Sequence, residues 1–314
     1  MRKVLKIAGI GLGGIVLLLI LGATIINVKG IPTYEAKDPI FKVDVDSMRL
    51  ERGQKLVSMV CAECHMGKNS RILEGGAMDD AGAAFGKIYI ANLTHPTKGL
   101  SRYTDGQLAY LLRTGIKRDG QYAPPWMPKF PHMADEDMRD IIAFLRSDHP
   151  WMTPSDKEVP PSDPSFLAKA LCNFVFKPFP YPEAEIPKPS LADKVAYGGY
   201  IANEVYQCFS CHSASFPTND DFTPPNSEGF YGGGNEMADL EGNPIKSSNI
   251  TMHETGIAHY TEEDFIKAVK WGTRPNGDPI SAPMSKFSGL HDEEVAAIFA
   301  YLKTLPKIDN EVKN

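Results

Sequence analysis

Two short stretches, Cys61-Ala62-Glu63-Cys64-His65 and Cys208-Phe209-Ser210-Cys211-His212, decide how the rest of this chain is read. Each holds two cysteines three apart and a histidine directly after the second. Together they take four of the five cysteines in 314 residues and leave only Cys172. An odd count excludes a complete disulfide framework within the chain. A structural zinc site needs four ligands, usually two such pairs about 15–20 residues apart; here Cys64 and Cys208 lie 144 positions apart. A thioredoxin-like dithiol expects a βαβ setting, which the pattern lacks. A disulfide within each pair leaves the two following histidines unexplained.

The spacing fits covalent attachment of haem. Two cysteines on one helical turn reach the two vinyl groups of one porphyrin, and the next residue places its imidazole beneath the iron. Two motifs predict two covalently attached haem c groups, with His65 and His212 as iron ligands.

An internal duplication surrounds these motifs. Residues 92–145 align with 249–302 at a constant offset of 157, with 15 identities in 54 positions and no gap. Asn92-Leu93-Thr94 matches Asn249-Ile250-Thr251, Tyr103-Thr104 matches Tyr260-Thr261, and Lys129-Phe130 matches Lys286-Phe287. The match reaches back to Gly75-Gly76 and Gly232-Gly233. The cysteine motifs themselves are 147 apart, so the second copy carries about ten extra residues in the Pro-rich stretch after His212. A period this long indicates two similar domains rather than a solenoid.

The duplication also points to the sixth iron ligand. Of 12 methionines, only Met127 and Met284 pair at the repeat offset, and no other histidine has a histidine partner there. Both lie beside prolines, which stiffen a loop that must hold a weak thioether against iron. Two His/Met centres are therefore expected. Arg113 and Lys270 also match and are candidate partners for haem propionates. Asn92, Tyr103, Asn249 and Tyr260 can serve propionates or fix loops, and the sequence does not separate these roles. Lys129 and Lys286 read as solvated, Trp126 and Trp271 as packing, and Cys172 as a buried inert thiol.

The coarse pattern is helical, giving an all-α class. Helices are expected over about 48–60 and 197–206, leading into the cysteines. Others start at Thr104 and Thr261, whose spacing to Gln107 and Asp264 reads as a capping box or close variant, and end at Gly115 and Gly272. A last helix is expected over 135–147 and 292–304. Short hairpins near 76–92 and 233–249 are the only strand signals.

The N-terminus reads as a membrane segment. Arg2, Lys3 and Lys6 precede 20 uncharged residues, Ile7 to Ile26, enough to span a bilayer as a helix. Length and the lack of a clear cleavage site favour an uncleaved anchor, with a cleaved signal peptide as the competing reading. The layout is an anchor over 1–30, a domain over 45–149, a connector over 150–190 with ten prolines, and a second domain over 191–308. The expected location is a bacterial inner membrane, single-pass, with the C-terminal domains in the periplasm. With a net charge of −6, nucleic acid is not an expected partner.

Each unit resembles a class I cytochrome c domain: a glycine in the first helix (Gly53, Gly199), the cysteine motif, the distal methionine, and an aromatic in the last helix (Phe144, Tyr301). The Asn-(Leu/Ile)-Thr, Gly, Tyr-Thr, Gly, Met order is similar to that of membrane-bound cytochrome c subunits of periplasmic dehydrogenases and respiratory complexes. That resemblance implies a non-enzymatic relay between a quinol-side donor or dehydrogenase and an acceptor such as a terminal oxidase. Its partners would be redox proteins, free-standing or within a larger respiratory or dehydrogenase complex. The alternative is a dihaem redox enzyme of peroxidase or thiosulfate-oxidising type.

Overall fold

A computed structural model describes residues 2–78, 82–239 and 241–312. By contacts the chain groups into two compact units. The first holds Met1–Phe41, Cys64–Lys129 and Asp148–Pro180; the second holds Lys42–Glu63, Phe130–Ser147 and Tyr181–Asn314.

In the first unit, helix α1 (Arg2–Lys29) is a single 28-residue rod. Its stretch Gly9–Lys29 is long and apolar enough to cross a bilayer. Helix α2 (Ser47–Val60) belongs to the second unit, and α3 (Ala62–His65) follows it at once. Helix α4 (Asp105–Thr114) buries Leu108, Ala109, Leu111 and Leu112. It begins with a complete capping box: the Gln107 N–H donates to Thr104 Oγ1 at 3.0 Å, and Gln107 Oε1 accepts from the Thr104 N–H. Gly115 ends it in the left-handed region.

The second unit is built on two helix crossings. Helix α5 (Asp135–Leu145) packs against α2, and α7 (Lys194–Tyr200) packs against α10 (Asp292–Leu302). Each crossing is tight enough to need glycine. A Cβ at Gly53 would lie 2.0 Å from the Asp140 carbonyl oxygen, and one at Gly198 would lie 1.9 Å from that of Ala297. Asp140 and Ala297 are 157 apart, so the two contacts are equivalent. The second crossing glycine is thus Gly198 and not Gly199, whose Cβ would meet the Tyr301 ring at 2.9 Å instead.

Ten residues separate Gly198 from Cys208, against eight from Gly53 to Cys61. The extra length is taken up where α7 widens into a π-helical turn over Ile201–Val205 and Gln207 adopts φ 49°, a left-handed conformation unusual for a non-glycine residue. Helix α8 (Cys208–His212) follows. Helix α9 (Glu262–Trp271) has the same capping box as α4, from Thr261 and Asp264, and ends at Gly272. It stacks Phe265 on Phe299 of α10, ring centroids 5.0 Å apart.

Helix is the dominant regular structure but all-α is too coarse. Three two-stranded antiparallel ribbons occur among the described residues: β1 (Gly76–Ala77) with β3 (Tyr89–Ile90), β2 (Gly86–Lys87) with β4 (Asp163–Pro164), and β5 (Glu236–Ala238) with β6 (Pro244–Lys246). The first and third occupy the expected hairpin positions. A single helix, α6 (Phe166–Phe174), lies in the Pro-rich connector.

Candidate haem-binding centres

In the first centre, the Cys61 N–H closes α2 by donating to the Val57 carbonyl at 3.0 Å, and Cys64 and His65 complete the next turn on α3. Cys61 is half-buried and Cys64 is exposed. His65 Nδ1 lies 3.0 Å from the Ala91 carbonyl oxygen. A carbonyl only accepts, so Nδ1 carries the proton and Nε2 keeps its lone pair for a metal. Burial pushes the imidazole down from its usual value, which favours the neutral form that ligates iron.

The second centre repeats this arrangement. His212 Nδ1 lies 2.8 Å from the Ser248 carbonyl oxygen, and burial again lowers its pKa. Cys208 is half-buried and Cys211 exposed. Burial pushes the Cys208 thiol up to about 12 and raises that of Cys211 as well, so this pair is not poised as a nucleophilic thiolate.

Ala91 and Ser248 each directly precede the repeated Asn-x-Thr motif, and that motif fixes the carbonyl that aims the imidazole. Asn92 Oδ1 accepts from the Thr94 N–H and Oγ1–H, while its Nδ2 donates to the Ser155 and Lys157 carbonyls at 2.9 and 3.0 Å. Asn249 does the same with Thr251, and donates to Ile308 at 2.8 Å and Asn310 at 3.4 Å. Both asparagines fix loops, one of the two roles the sequence left open for them. Both loops are further held by a glycine. The Gly75 N–H donates to the His65 carbonyl at 2.9 Å, and the Gly233 N–H to that of His212 at 2.7 Å. Each has positive φ and lies so close to the chain bearing Ala91 or Ser248 that a Cβ would clash with backbone. Gly75 therefore corresponds to Gly233, one residue later than the sequence alignment pairs it.

The methionines sit on turns. The Met127 N–H donates to the Pro124 carbonyl at 3.1 Å and the Met284 N–H to that of Ser281 at 3.3 Å. Both side chains are half-buried. Lys129, expected in solvent, is buried: its Nζ donates to the Pro124 carbonyl at 2.7 Å and lies 4.9 Å from the Tyr122 ring centroid. Its stem crosses Gly115, as the exposed Lys286 crosses Gly272. The lysine two residues past each methionine thus braces the methionine loop against the helix cap. The repeated Met-x-Lys-Phe was the available signal.

The two candidate propionate partners differ. Arg113 is fully buried in the last turn of α4. Lys270 pairs with Asp292 and lies 5.5 Å from the Trp271 ring centroid. Cys172 is fully buried, and burial pushes its thiol up to about 11, as expected of an inert thiol.

The donor set fits covalent haem: two thiols on one turn, and a half-buried imidazole held by a backbone carbonyl with Nε2 left over. Residues 50–148 also match the family model for cytochrome c. This segment is a cytochrome c domain. About four-fifths of the chain is similar to cytochrome c subunits of dehydrogenases. It is 28% identical over 276 residues to the fructose dehydrogenase cytochrome subunit of Gluconobacter japonicus, covering 82% of this chain and 52% of that one. It is 25% identical over 278 residues to the cytochrome c subunit of the quinone alcohol dehydrogenase of Komagataeibacter europaeus, covering 84% and 58%. A protein described as diheme cytochrome c-type, from Cereibacter sphaeroides, is 26% identical over 264 residues, covering 79% and 83%. The chain spans about half the length of the first two relatives. The first two matches are wide enough that their spans take in both cysteine motifs. They support an electron-transfer cytochrome that carries covalent haem.

Proposed function

We propose that this chain is a membrane-anchored periplasmic electron relay with two covalently held haem c groups. His65 and Met127 ligate one iron, in a domain over 45–149; His212 and Met284 ligate the other, in a domain over 191–308. Haem c, when bound, supplies reversible one-electron exchange at iron. The protein's part is to tether each group through its cysteine pair, aim one imidazole, and hold one thioether on a braced loop. His/Met ligation raises the potential relative to harder ligand sets, which suits an electron carrier between a quinol-side donor or dehydrogenase and a downstream acceptor such as a terminal oxidase. If His65 with Met127 and His212 with Met284 held the two irons, no ligand position would remain for a substrate, which supports a carrier rather than an enzyme. Arg113 and Lys270 are the propionate partners on this reading, and Lys270 would have to leave Asp292 to serve.

The observation that carries the proposal is the repeated imidazole–carbonyl bond, His65 to Ala91 and His212 to Ser248, beside two cysteine pairs. The named relatives are subunits of dehydrogenases, so a complex of that kind is the proposed partner. The length and apolar character of α1 support a location in the bacterial inner membrane with the domains outside the cytoplasm.

The test is a haem count and a spectrum on the detergent-purified protein. Two haems per chain, all low-spin, with the long-wavelength charge-transfer band of methionine-ligated ferric iron, are expected. A high-spin or thiolate-ligated haem would overturn the relay in favour of a dihaem enzyme.

A further inference from the structure

The connector helix α6 has three faces, and two of them are accounted for. Ala168 and Cys172, one turn apart, are buried in the first unit. Lys169 and Asn173, also one turn apart, reach the end of α1: Lys169 Nζ donates to Asn27 Oδ1 at 2.9 Å, and Asn173 Nδ2 donates to the Gly30 carbonyl at 2.9 Å. These bonds clasp α1 where its apolar run stops, at Ile26.

The third face is apolar, exposed at both ends and half-buried in its middle at Ala170 and Leu171. Leu167, Ala170, Leu171 and Phe174 recur at i, i+3, i+4, i+7, the spacing of one helical stripe. Leu167 is 48% exposed and Phe174 69%; their neighbours Phe166 and Val175 are 48% and 61% exposed. Outside α1, ten large apolar side chains are exposed among the described residues, and four of them fall in these ten positions. A soluble surface spreads such residues singly; a cluster marks a partner.

We infer that α6 lies in the membrane interface, its apolar stripe seated against lipid, as a second and shallower attachment beside α1. The occupant follows from continuity. α6 is bonded to the last turn of the helix that spans the bilayer, so its outward stripe extends the lipid-facing surface of α1 at the level where hydrocarbon gives way to headgroups. A short amphipathic helix at that depth buries its apolar side chains in the acyl boundary. The attachment fixes the orientation of the first unit, because a single helix leaves the attached body free to swivel and a second contact removes that freedom. This inference rests on the reading of α1 as an anchor.

Thiol accessibility tests it on the full chain, purified alone and reconstituted in phosphatidylcholine–phosphatidylglycerol vesicles. Leu167→Cys and Phe174→Cys are labelled with a water-soluble maleimide. Phe216→Cys, exposed in the second unit, is the aqueous reference; Leu18→Cys is the bilayer reference, and the unsubstituted chain is the blank. Labelling at 167 and 174 should be at least about 10-fold slower than at 216, and independent of the lipid-to-protein ratio. Rates equal to that at 216, with Leu18→Cys still protected, would overturn the interfacial helix and leave the anchor standing. Free labelling of Leu18→Cys would overturn the anchor itself. Protection that disappears as protein is diluted in lipid would show a second copy on the stripe and also overturn the inference.

Discussion

The Nδ1–H groups of His65 and His212 each donate a hydrogen bond to a backbone carbonyl, and the Asn-x-Thr turns hold those carbonyls still. Replacing Asn249 by Ala removes its accepted bonds from Thr251 and its donated bonds to Ile308 and Asn310. With buried partners left unsatisfied the cost is about 2 kcal/mol, and the denaturant midpoint should fall with no change in slope. The imidazole would lose its fixed acceptor as the Ser248 segment loosens. Met284→Ala tests the other axial side. Haem should stay attached while the potential of the second centre falls by on the order of 100 mV, within the roughly 0.8 V range that axial ligation spans. An unchanged potential would remove Met284 from the ligand set. Cys208→Ser should lose covalent haem at that centre alone, read by stoichiometry. The cysteine motifs and the paired methionines can be read before folding because what they propose lies in spacing along the chain. The burial of Lys129 was not, because it depends on Gly115 and Tyr122, which reach it only through folding.

Among elements, the helix ends were the most legible, and for a local reason: a capping box joins residues three apart. Thr104 with Gln107 and Thr261 with Asp264 form as read. The crossing glycine in the second copy was misplaced by one residue, because two glycines adjoin and only the partner helix distinguishes them. Substitution separates them. Gly198→Ala puts a methyl 1.9 Å from the Ala297 carbonyl oxygen, rigid backbone that cannot yield without moving α10. It should cost more than about 2 kcal/mol and lower the melting temperature by several degrees. Gly199→Ala meets the Tyr301 ring at 2.9 Å, which can shift slightly, and should cost less than half as much. Equal effects would deny Gly198 its role. The π-turn at Ile201–Val205 had no sequence signature beyond a spacing two residues too long.

The second unit as a whole is tied by buried charge as well as by apolar packing. Glu294 on α10 accepts from Lys55 of α2, from Tyr197 Oη of α7 at 3.1 Å, and from the His291 N–H at 2.8 Å. Burial works to raise its carboxyl, but these bonds outweigh burial and hold it below its usual 4.5. A carboxyl depressed on folding adds stability above its unfolded pKa and loses it as pH falls through the folded value. Stability should therefore drop on acidification from about pH 4.5 downward. Glu294→Gln should flatten that limb of a pH–melting curve; an unchanged limb would place the acid sensitivity elsewhere. The widened turn and left-handed Gln207 before Cys208, with the longer stretch from His212 to Gly233, carry a historical consequence. Relative to the first copy, the second carries more residues on both sides of its attachment helix. Yet Gly198 still meets Ala297, and the 157 offset is restored by Asn249. Length has been free to drift between those two points and has stayed constant from 249 to 302, so grafted segments belong in the first interval and not in the second.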